Sequence, residues 1–141
     1  MFILKKKKRS KRKTRQPTTQ SQGHSQVFKA LRKLGYRVQN EIIVNELPYD
    51  IFVMDLNLII EYNGNRWHYN KNIYPPDFFD KVKNQYAWEK WEKDEKKIEH
   101  AKKNGYEIEI IWEYDWKRLS DKARFLKKMV SKYESQSQQI I

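Results

Sequence analysis

The chain has 141 residues, 38% of them hydrophobic and 14% aromatic, which is enough for one folded domain with a modest core. Its formal net charge of +12 favours a polyanionic partner, above all a nucleic acid. It contains no cysteine, which excludes disulfides and thiolate metal sites, and no apolar run approaches the roughly 18 residues of a membrane span, so no membrane partner is predicted.

The first element along the chain is a strongly basic segment. Residues 5–15 hold nine lysines and arginines and no acid, so this segment carries most of the excess positive charge. The polar stretch QPTTQSQGHS follows and has the composition of a linker. Like charges repel one another but can neutralise phosphates, so residues 1–23 are predicted to be a disordered basic tail and linker that contacts DNA or RNA. A solubilising or nuclear-targeting tail is the alternative. The predicted phosphate contacts are Lys5, Lys6, Lys7, Lys8, Arg9, Lys11, Arg12, Lys13 and Arg15.

Hydrophobic periodicity predicts a folded domain over residues 24–134, followed by a polar C-terminal tail over 135–141. The first helix has apolar residues at helical spacing near position 27 and is closed by Gly35. Three strand-like runs follow, and the later elements are a helix over 78–103, a strand over 106–112 and a helix over 117–133. This order predicts an α/β sandwich around a mixed sheet.

The stretch YDIFVMDLNLIIEYN carries the strongest sign of chemistry. It resembles two strands joined by a tight turn near Asp55-Leu56, and a two-residue turn makes opposed positions sum to 111. Asp50 then lies across from Glu61, with Cβ atoms roughly 5 Å apart, and Asn63 shares the face of Glu61. Facing carboxylates repel, and Mg²⁺ or Mn²⁺ between them would offset the repulsion, bind a phosphodiester oxygen and activate water. A half-exposed sheet face with ordinary charges is the alternative.

Four further side chains are candidates for a role in the site or the core. His68 lies where the chain leaves the third strand and could polarise a phosphate or donate a proton, although a surface loop histidine is the alternative. Lys97 on the second helix could stabilise negative charge on a pentavalent phosphate, or simply face solvent. Trp67 and Trp116 are predicted to be core residues rather than platforms for base stacking. Arg66 is a further predicted contact to nucleic acid.

Two segments, ELPYDIFVMDLNLIIEYNGNRWHYN and KDEKKIEHAKKNGYEIEIIWEYDW, resemble the very short patch repair (Vsr)-like branch of the PD-(D/E)xK nucleases over about residues 25–116. The resemblance implies a restriction-endonuclease-like fold and Mg²⁺- or Mn²⁺-dependent cleavage of phosphodiester bonds in DNA, in a repair or homing role. The residues that match by position are Asp50 and Glu61 as metal ligands, Asn63 at the third motif position, His68 as the active-site histidine, and Lys97 or Asp94 as the contribution of the helix.

This chain departs from that branch at three places. Many relatives have a glutamate on the first helix near the position of Gln26, and a neutral amide there would weaken metal binding or remove one ligand. Asn63 replaces the aspartate of some relatives. An insertion, NKNIYPPDFFDKVKNQYAWEKWE, separates His68 from Asp94 and is predicted to be a longer helix, with a substrate-binding element as the alternative.

The same region, with the ending GYEIEIIWEYDWKRL, also resembles the RAP domain, a related fold linked to RNA in mitochondria. That resemblance implies the alternative function, a non-catalytic RNA-binding protein of a ribonucleoprotein such as a mitochondrial ribosome subunit. The nuclease is expected in the cytoplasm or nucleoid of a prokaryote or a phage-infected cell, and the RAP-like protein in a mitochondrion. Nucleic acid is the predicted partner in both, with DNA favoured over RNA.

Overall fold

A computed structural model describes residues 21–140 of the chain, with side chains described over residues 21–134. The phosphate contacts predicted over residues 5–15 lie outside the described residues. The helices are α1 (Gln22–Lys33), α2 (Ala87–Lys103), α3 (Glu113–Arg118) and α4 (Lys122–Ile140). The strands are β1 (Val38–Val44), β2 (Leu47–Val53), β3 (Leu58–Asn63), β4 (Phe79–Asp80), β5 (Gln85–Tyr86) and β6 (Glu107–Trp112).

The main sheet has four strands in the order β1-β2-β3-β6. β1, β2 and β3 pair antiparallel, whereas β6 pairs parallel to β3, so α2 lies on the crossover that parallel neighbours require. The predicted α/β architecture, a mixed sheet flanked by helices, is confirmed. Among residues 21–140, no helix is both long enough and apolar enough to cross a membrane.

The register between β2 and β3 is the one predicted. Ile51 pairs with Ile60 and Val53 with Leu58, and each pair sums to 111. The predicted two-residue turn is wrong, because a 3₁₀ turn (Met54–Leu56) and Asn57 at φ 53° make a four-residue connection. Arg37 stabilises this connection, because its backbone N–H donates to Asp55 Oδ2 at 2.7 Å. Lengthening the loop by one residue on each side leaves the register unchanged.

Both faces of β3 are buried, in two separate cores. Leu58, Ile60 and Tyr62 pack with residues of α1 and α4. Ile59 packs on the opposite face, in a core shared with Tyr49 and with Ala101 of α2. Because Glu61 and Asn63 alternate with Ile60 and Tyr62, both polar side chains lie on the α2 face of the sheet.

The helix predicted over residues 78–103 begins only at Ala87. Residues 79–86 instead form the β4–β5 hairpin, so the helical prediction for the insertion is wrong over residues 70–86. Asp80 Oδ1 accepts the backbone N–H groups of Val82 and Lys83, and Asn84 has φ 53°. These local bonds favour a turn over a helix, and Val82 is left 93% exposed.

The last predicted helix, over residues 117–133, is in fact two helices, α3 and α4. The break follows from the extended backbone of Leu119 and from Asp121, whose Oδ1 accepts the N–H of Arg124 at 3.0 Å. α4 continues to Ile140, through the residues for which a polar tail was predicted.

The two tryptophans predicted to be core residues differ in their burial. Trp116 is 1% exposed and packs in the core, as predicted. Trp67 is 62% exposed, so that prediction is wrong. It lies in the loop after β3, where the ammonium of Lys83 is 3.4 Å from the centroid of its ring.

Candidate active site

Asp50 and Glu61 lie side by side at the point where β2 and β3 stop pairing through their backbones. The N–H of Asp50 donates to Glu61 Oε1 at 2.7 Å, and the N–H of Tyr62 donates to Asp50 Oδ2 at 2.8 Å. Each carboxylate therefore accepts a backbone proton of the opposite strand. The pairing of β1 with β2 is also interrupted here, at Glu41, whose φ is 60°. The break in the sheet fixes both carboxylates in neighbouring positions.

Lys97 brings a positive charge from α2 to this pair of acids. Its ammonium lies 2.8 Å from Glu61 Oε2, and Glu61 is only 6% exposed. The hydroxyl of Tyr49 donates to the carbonyl of Lys97 at 2.8 Å, and the ring of Tyr49 has its centroid 4.7 Å from the ammonium. Tyr49 therefore fixes both ends of the lysine against the sheet.

The single ammonium does not balance the two acids. Burial raises the pKa of Glu61, the neighbouring charge of Asp50 raises it further, and the opposing effect of Lys97 is smaller. The raised pKa means that the folded protein favours the protonated form of Glu61 more than the unfolded chain does. This shift is a property of the folded site, since residues 61 and 97 are far apart in sequence.

His68 and Asp94 form the second polar pair of the site. His68 Nδ1 lies 2.8 Å from Asp94 Oδ2, and the ammonium of Lys90 lies 2.7 Å from Asp94 Oδ1. With Asp94 ionised, the proton lies on His68 Nδ1, which leaves Nε2 to exchange a proton with a bound group. His68 lines one small cavity with Glu61, Asn63 and Lys97. The cavity thus places an acid–base group beside paired carboxylates.

The ionisation of Asp94 should contribute to stability in a pH-dependent way. Burial alone would raise its pKa, but the hydrogen bonds from His68 and Lys90 outweigh burial and hold the pKa below the ordinary 3.8. A depressed folded-state pKa gives stability that is present above pH 3.8 and lost as the pH falls through the folded-state value.

We therefore expect the free energy of unfolding of Asp94→Asn to fall less steeply with decreasing pH than that of the wild type. The variant lacks the carboxylate that takes up a proton when the protein unfolds in acid. Urea unfolding between pH 6 and pH 3 measures this, with Asp77→Asn in an exposed loop as the control. An equal pH dependence of the free energy of unfolding in the wild type and Asp94→Asn would contradict the bonds assigned to Asp94 with His68 and Lys90.

The remaining predicted residues lie in different surroundings. Asn63 is 5% exposed and lines the same cavity as Glu61, His68, Asp94 and Lys97, and the backbone N–H of Asp50 donates to Glu61 in its wall. Arg66 is exposed in the loop after β3, next to Trp67.

Sequence reasoning missed His24. Its imidazole lies near the pair of acids, where the charge of Glu61 acts to raise its pKa against the larger opposing effect of burial. Its Nε2 also lies 3.2 Å from Asn40 Oδ1. Burial lowers the pKa of His24, which favours the neutral imidazole. No local pattern could have signalled this placement, because it depends on how α1 packs on the sheet.

Gln26 lies outside the carboxylate pair and has a structural partner. Its Oε1 accepts the indole N–H of Trp116 at 2.8 Å. We expect Gln26→Ala to lower the free energy of unfolding by about 1 kcal/mol, because a buried indole N–H loses its acceptor. Urea unfolding measures this loss, and a free energy of unfolding equal to that of the wild type would contradict a stabilising bond between Gln26 and Trp116.

The donor groups fit a minimal site for one divalent cation. Within residues 21–134, no group of three or more histidine and acidic side chains is arranged to hold a metal. Mg²⁺, however, keeps several waters and is commonly bound by one or two carboxylates together with substrate phosphates. Asp50 and Glu61 could supply those two carboxylates, because the backbone bonds across β2 and β3 hold them in neighbouring positions. Lys97 would share Glu61 with the metal.

Comparison of the sequence with protein-family models and with curated proteins finds no match.

Proposed function

We propose that the protein is a metal-dependent endonuclease that hydrolyses phosphodiester bonds, with DNA as the favoured substrate. The observation that carries the proposal is the placement of Asp50 and Glu61, in which each carboxylate accepts a backbone N–H of the opposite strand and Lys97 bonds to Glu61. A merely structural role would be a poor choice for the buried Glu61, because buried charges are stabilising only when they are well compensated.

Each polar residue then has a role that follows from its position. Asp50 and Glu61 would hold Mg²⁺ or Mn²⁺, which supplies Lewis-acid stabilisation of the phosphate and activation of water when bound. Lys97 offsets negative charge that develops on the phosphate oxygens. His68, oriented by Asp94 through Nδ1, would as an imidazolium donate from Nε2 to the phosphate or give that proton to the leaving oxygen. The basic segment, residues 5–15, would add affinity for phosphates without sequence preference.

The test is a cleavage assay with supercoiled plasmid and with structured RNA, in Mg²⁺, Mn²⁺ or EDTA. The wild type should nick one polymer only when the metal is present, Asp50→Asn should not, and Glu46→Gln in the β1–β2 turn should behave as the wild type. Thermal unfolding supplies a second readout. Mg²⁺ should raise the Tm of the wild type and leave that of Asp50→Asn unchanged, because only the intact pair binds the cation. Metal-independent nicking, or equal nicking by Asp50→Asn, would contradict the proposal.

The second candidate function is a non-catalytic RNA-binding protein. Both oxygens of Glu61 already have protein partners, and Gln26 is bonded to Trp116, so α1 adds no carboxylate to the site. Tight, salt-sensitive binding of RNA without cleavage, unchanged in Asp50→Asn, would favour this function over the nuclease.

A further inference from the structure

A larger cleft opens beside the cavity that contains Glu61, Lys97 and His68. Its volume is about 340 Å³, at the small end of the roughly 300–1,000 Å³ of ligand sites. Asn63 and Asp94 line both the cleft and the small cavity, so the two spaces share a wall. A group bound in the cleft would therefore lie next to the proposed reaction centre.

The walls of the cleft combine aromatic rings with amides. Trp91 of α2 and Trp112 of β6 provide two indoles, and Asn63, Asn70 and Asn72 provide the amides. The indole N–H of Trp91 donates to the carbonyls of His68 and Tyr69 at 3.1 and 2.8 Å, which fixes that ring in place. Aromatic surface and fixed amides are the groups with which proteins hold a base that has left its stack.

The charge of the cleft is opposite to that of the whole chain. Its lining includes three acids and one lysine, namely Asp94, Glu95, Asp115 and Lys71, although the protein carries a net charge of +12. Within residues 21–134, neither Glu95 nor Asp115 belongs to an ion pair. Such walls repel a phosphate and accept hydrogen bonds from a neutral group that carries N–H donors.

We propose that this cleft receives one unpaired nucleobase with an exocyclic amino group, from the strand whose phosphate lies at Glu61, Lys97 and His68. The placing of that phosphate rests on the proposed nuclease function. The capture of a base rests on the cleft itself, on its size, its indoles, its amides and its negative charge. The substrate class is then a nucleic acid with an unpaired adenine, cytosine or guanine rather than a regular duplex.

The test is equilibrium binding of the full chain to labelled hairpin DNA in EDTA, where no cleavage occurs. Four hairpins are compared. One is fully paired, and the others carry at one internal position an unpaired adenine, an unpaired purine without the amino group, or an abasic sugar. We expect the adenine hairpin to bind roughly tenfold more tightly than the abasic one, because only the base can contact the indoles. The purine hairpin should fall roughly fivefold below adenine, because one N–H donor group is lost.

Two variants assign the preference to the cleft. Asn72→Ala removes an exposed amide and keeps the backbone bond from the N–H of residue 72 to Asn70 Oδ1. Asp115→Asn removes one wall charge. Each should lower the preference for adenine over the abasic site and leave binding to the paired hairpin unchanged. Glu46→Gln, remote from the cleft, should keep the full preference.

Equal binding of adenine and abasic hairpins by the wild type would overturn the proposal, as would a preference that survives in both variants. The outcome is separate from that of the nuclease proposal. Metal-dependent cleavage without a base preference would leave the nuclease and remove the base cleft. A base preference without cleavage would leave the cleft on a protein that only binds nucleic acid.

Discussion

Glu61→Gln should reduce metal-dependent cleavage by at least about a hundredfold, since the loss of groups that merely orient metal ligands already costs roughly 10–100-fold. Glu61 is nearly fully buried and lies against both Asp50 and Lys97, so a neutral amide removes the charge that would hold the cation. Binding to DNA in EDTA should stay close to that of the wild type, because phosphate contacts elsewhere supply most of the affinity. Initial rates and a binding curve separate the two effects.

A double variant makes this prediction sharper. If Asp50 and Glu61 act on one cation, Asp50→Asn combined with Glu61→Gln should be no slower than the more damaging single variant. Glu46→Gln, the same change in an exposed turn, controls for the loss of one carboxylate. Multiplied defects in the double variant, or a Glu61→Gln rate within threefold of the wild type, would contradict a shared metal site.

Lys97→Met is expected to have the largest effect on stability. It leaves Glu61 beside Asp50 without a compensating charge, and breaking a buried ion pair typically costs 3–5 kcal/mol. Because the side chain of Lys97 is 33% exposed and water screens part of the charge, we expect a loss of about 2–3 kcal/mol. Urea unfolding at pH 7 in EDTA measures this loss.

The loss should depend on pH in one direction. Burial and Asp50 already raise the pKa of Glu61 above its ordinary 4.5, and removal of the ammonium raises it further. In the folded state Glu61 then binds a proton more tightly than in the unfolded state. The loss of stability in Lys97→Met is therefore largest above the folded-state pKa of Glu61 and becomes smaller as the pH falls toward 4.5. Mg²⁺ should restore part of the stability at pH 7, since it can replace the missing charge.

Lys96→Met is the matched control for this prediction. Lys96 is the exposed neighbour on α2, and within the described part of the chain it makes no ion pair with an acid. Its replacement should change the free energy of unfolding by less than about 0.5 kcal/mol. A Lys97→Met defect that is equal at every pH and unaffected by Mg²⁺ would point to lost packing against Tyr49 instead.

Some features of the site could be predicted because they depend on local pattern. The alternation of Leu58 and Ile60 with Glu61 determines which face each side chain takes, and the register that opposes Asp50 to Glu61 followed from it. Gly35 has positive φ just after α1, as its predicted place at the end of the first helix indicated. These are contacts between neighbours in sequence or between adjacent strands.

Local sequence pattern also gave two wrong predictions, a helix in place of the β4–β5 hairpin and a buried Trp67. The apolar spacing of Phe79, Val82 and Tyr86 matches a helix, but Asp80 takes the backbone N–H groups into a turn, and the hairpin exposes Val82. Trp67 is of a residue type that is usually buried, but it lies in the loop after β3, where its side chain is left exposed. Hydrophobic periodicity does not show that a side chain will bind the backbone N–H groups that a helix would use. It also does not show whether another element will cover a given side chain.

The sequence by itself determined the four strands of the main sheet, the antiparallel pairing of β2 with β3 and the two facing acids, because period-two alternation acts over short distances. Only the tertiary structure decided which of the lysines of α2 reaches Glu61, that Asp94 orients His68, and that Gln26 bonds to Trp116 rather than joining the site. The same packing of α2 on β3 and β6 creates the base-sized cleft. The physical reason is that a charged helix offers many equivalent side chains, and the orientation in which it packs on the sheet selects the few that are buried.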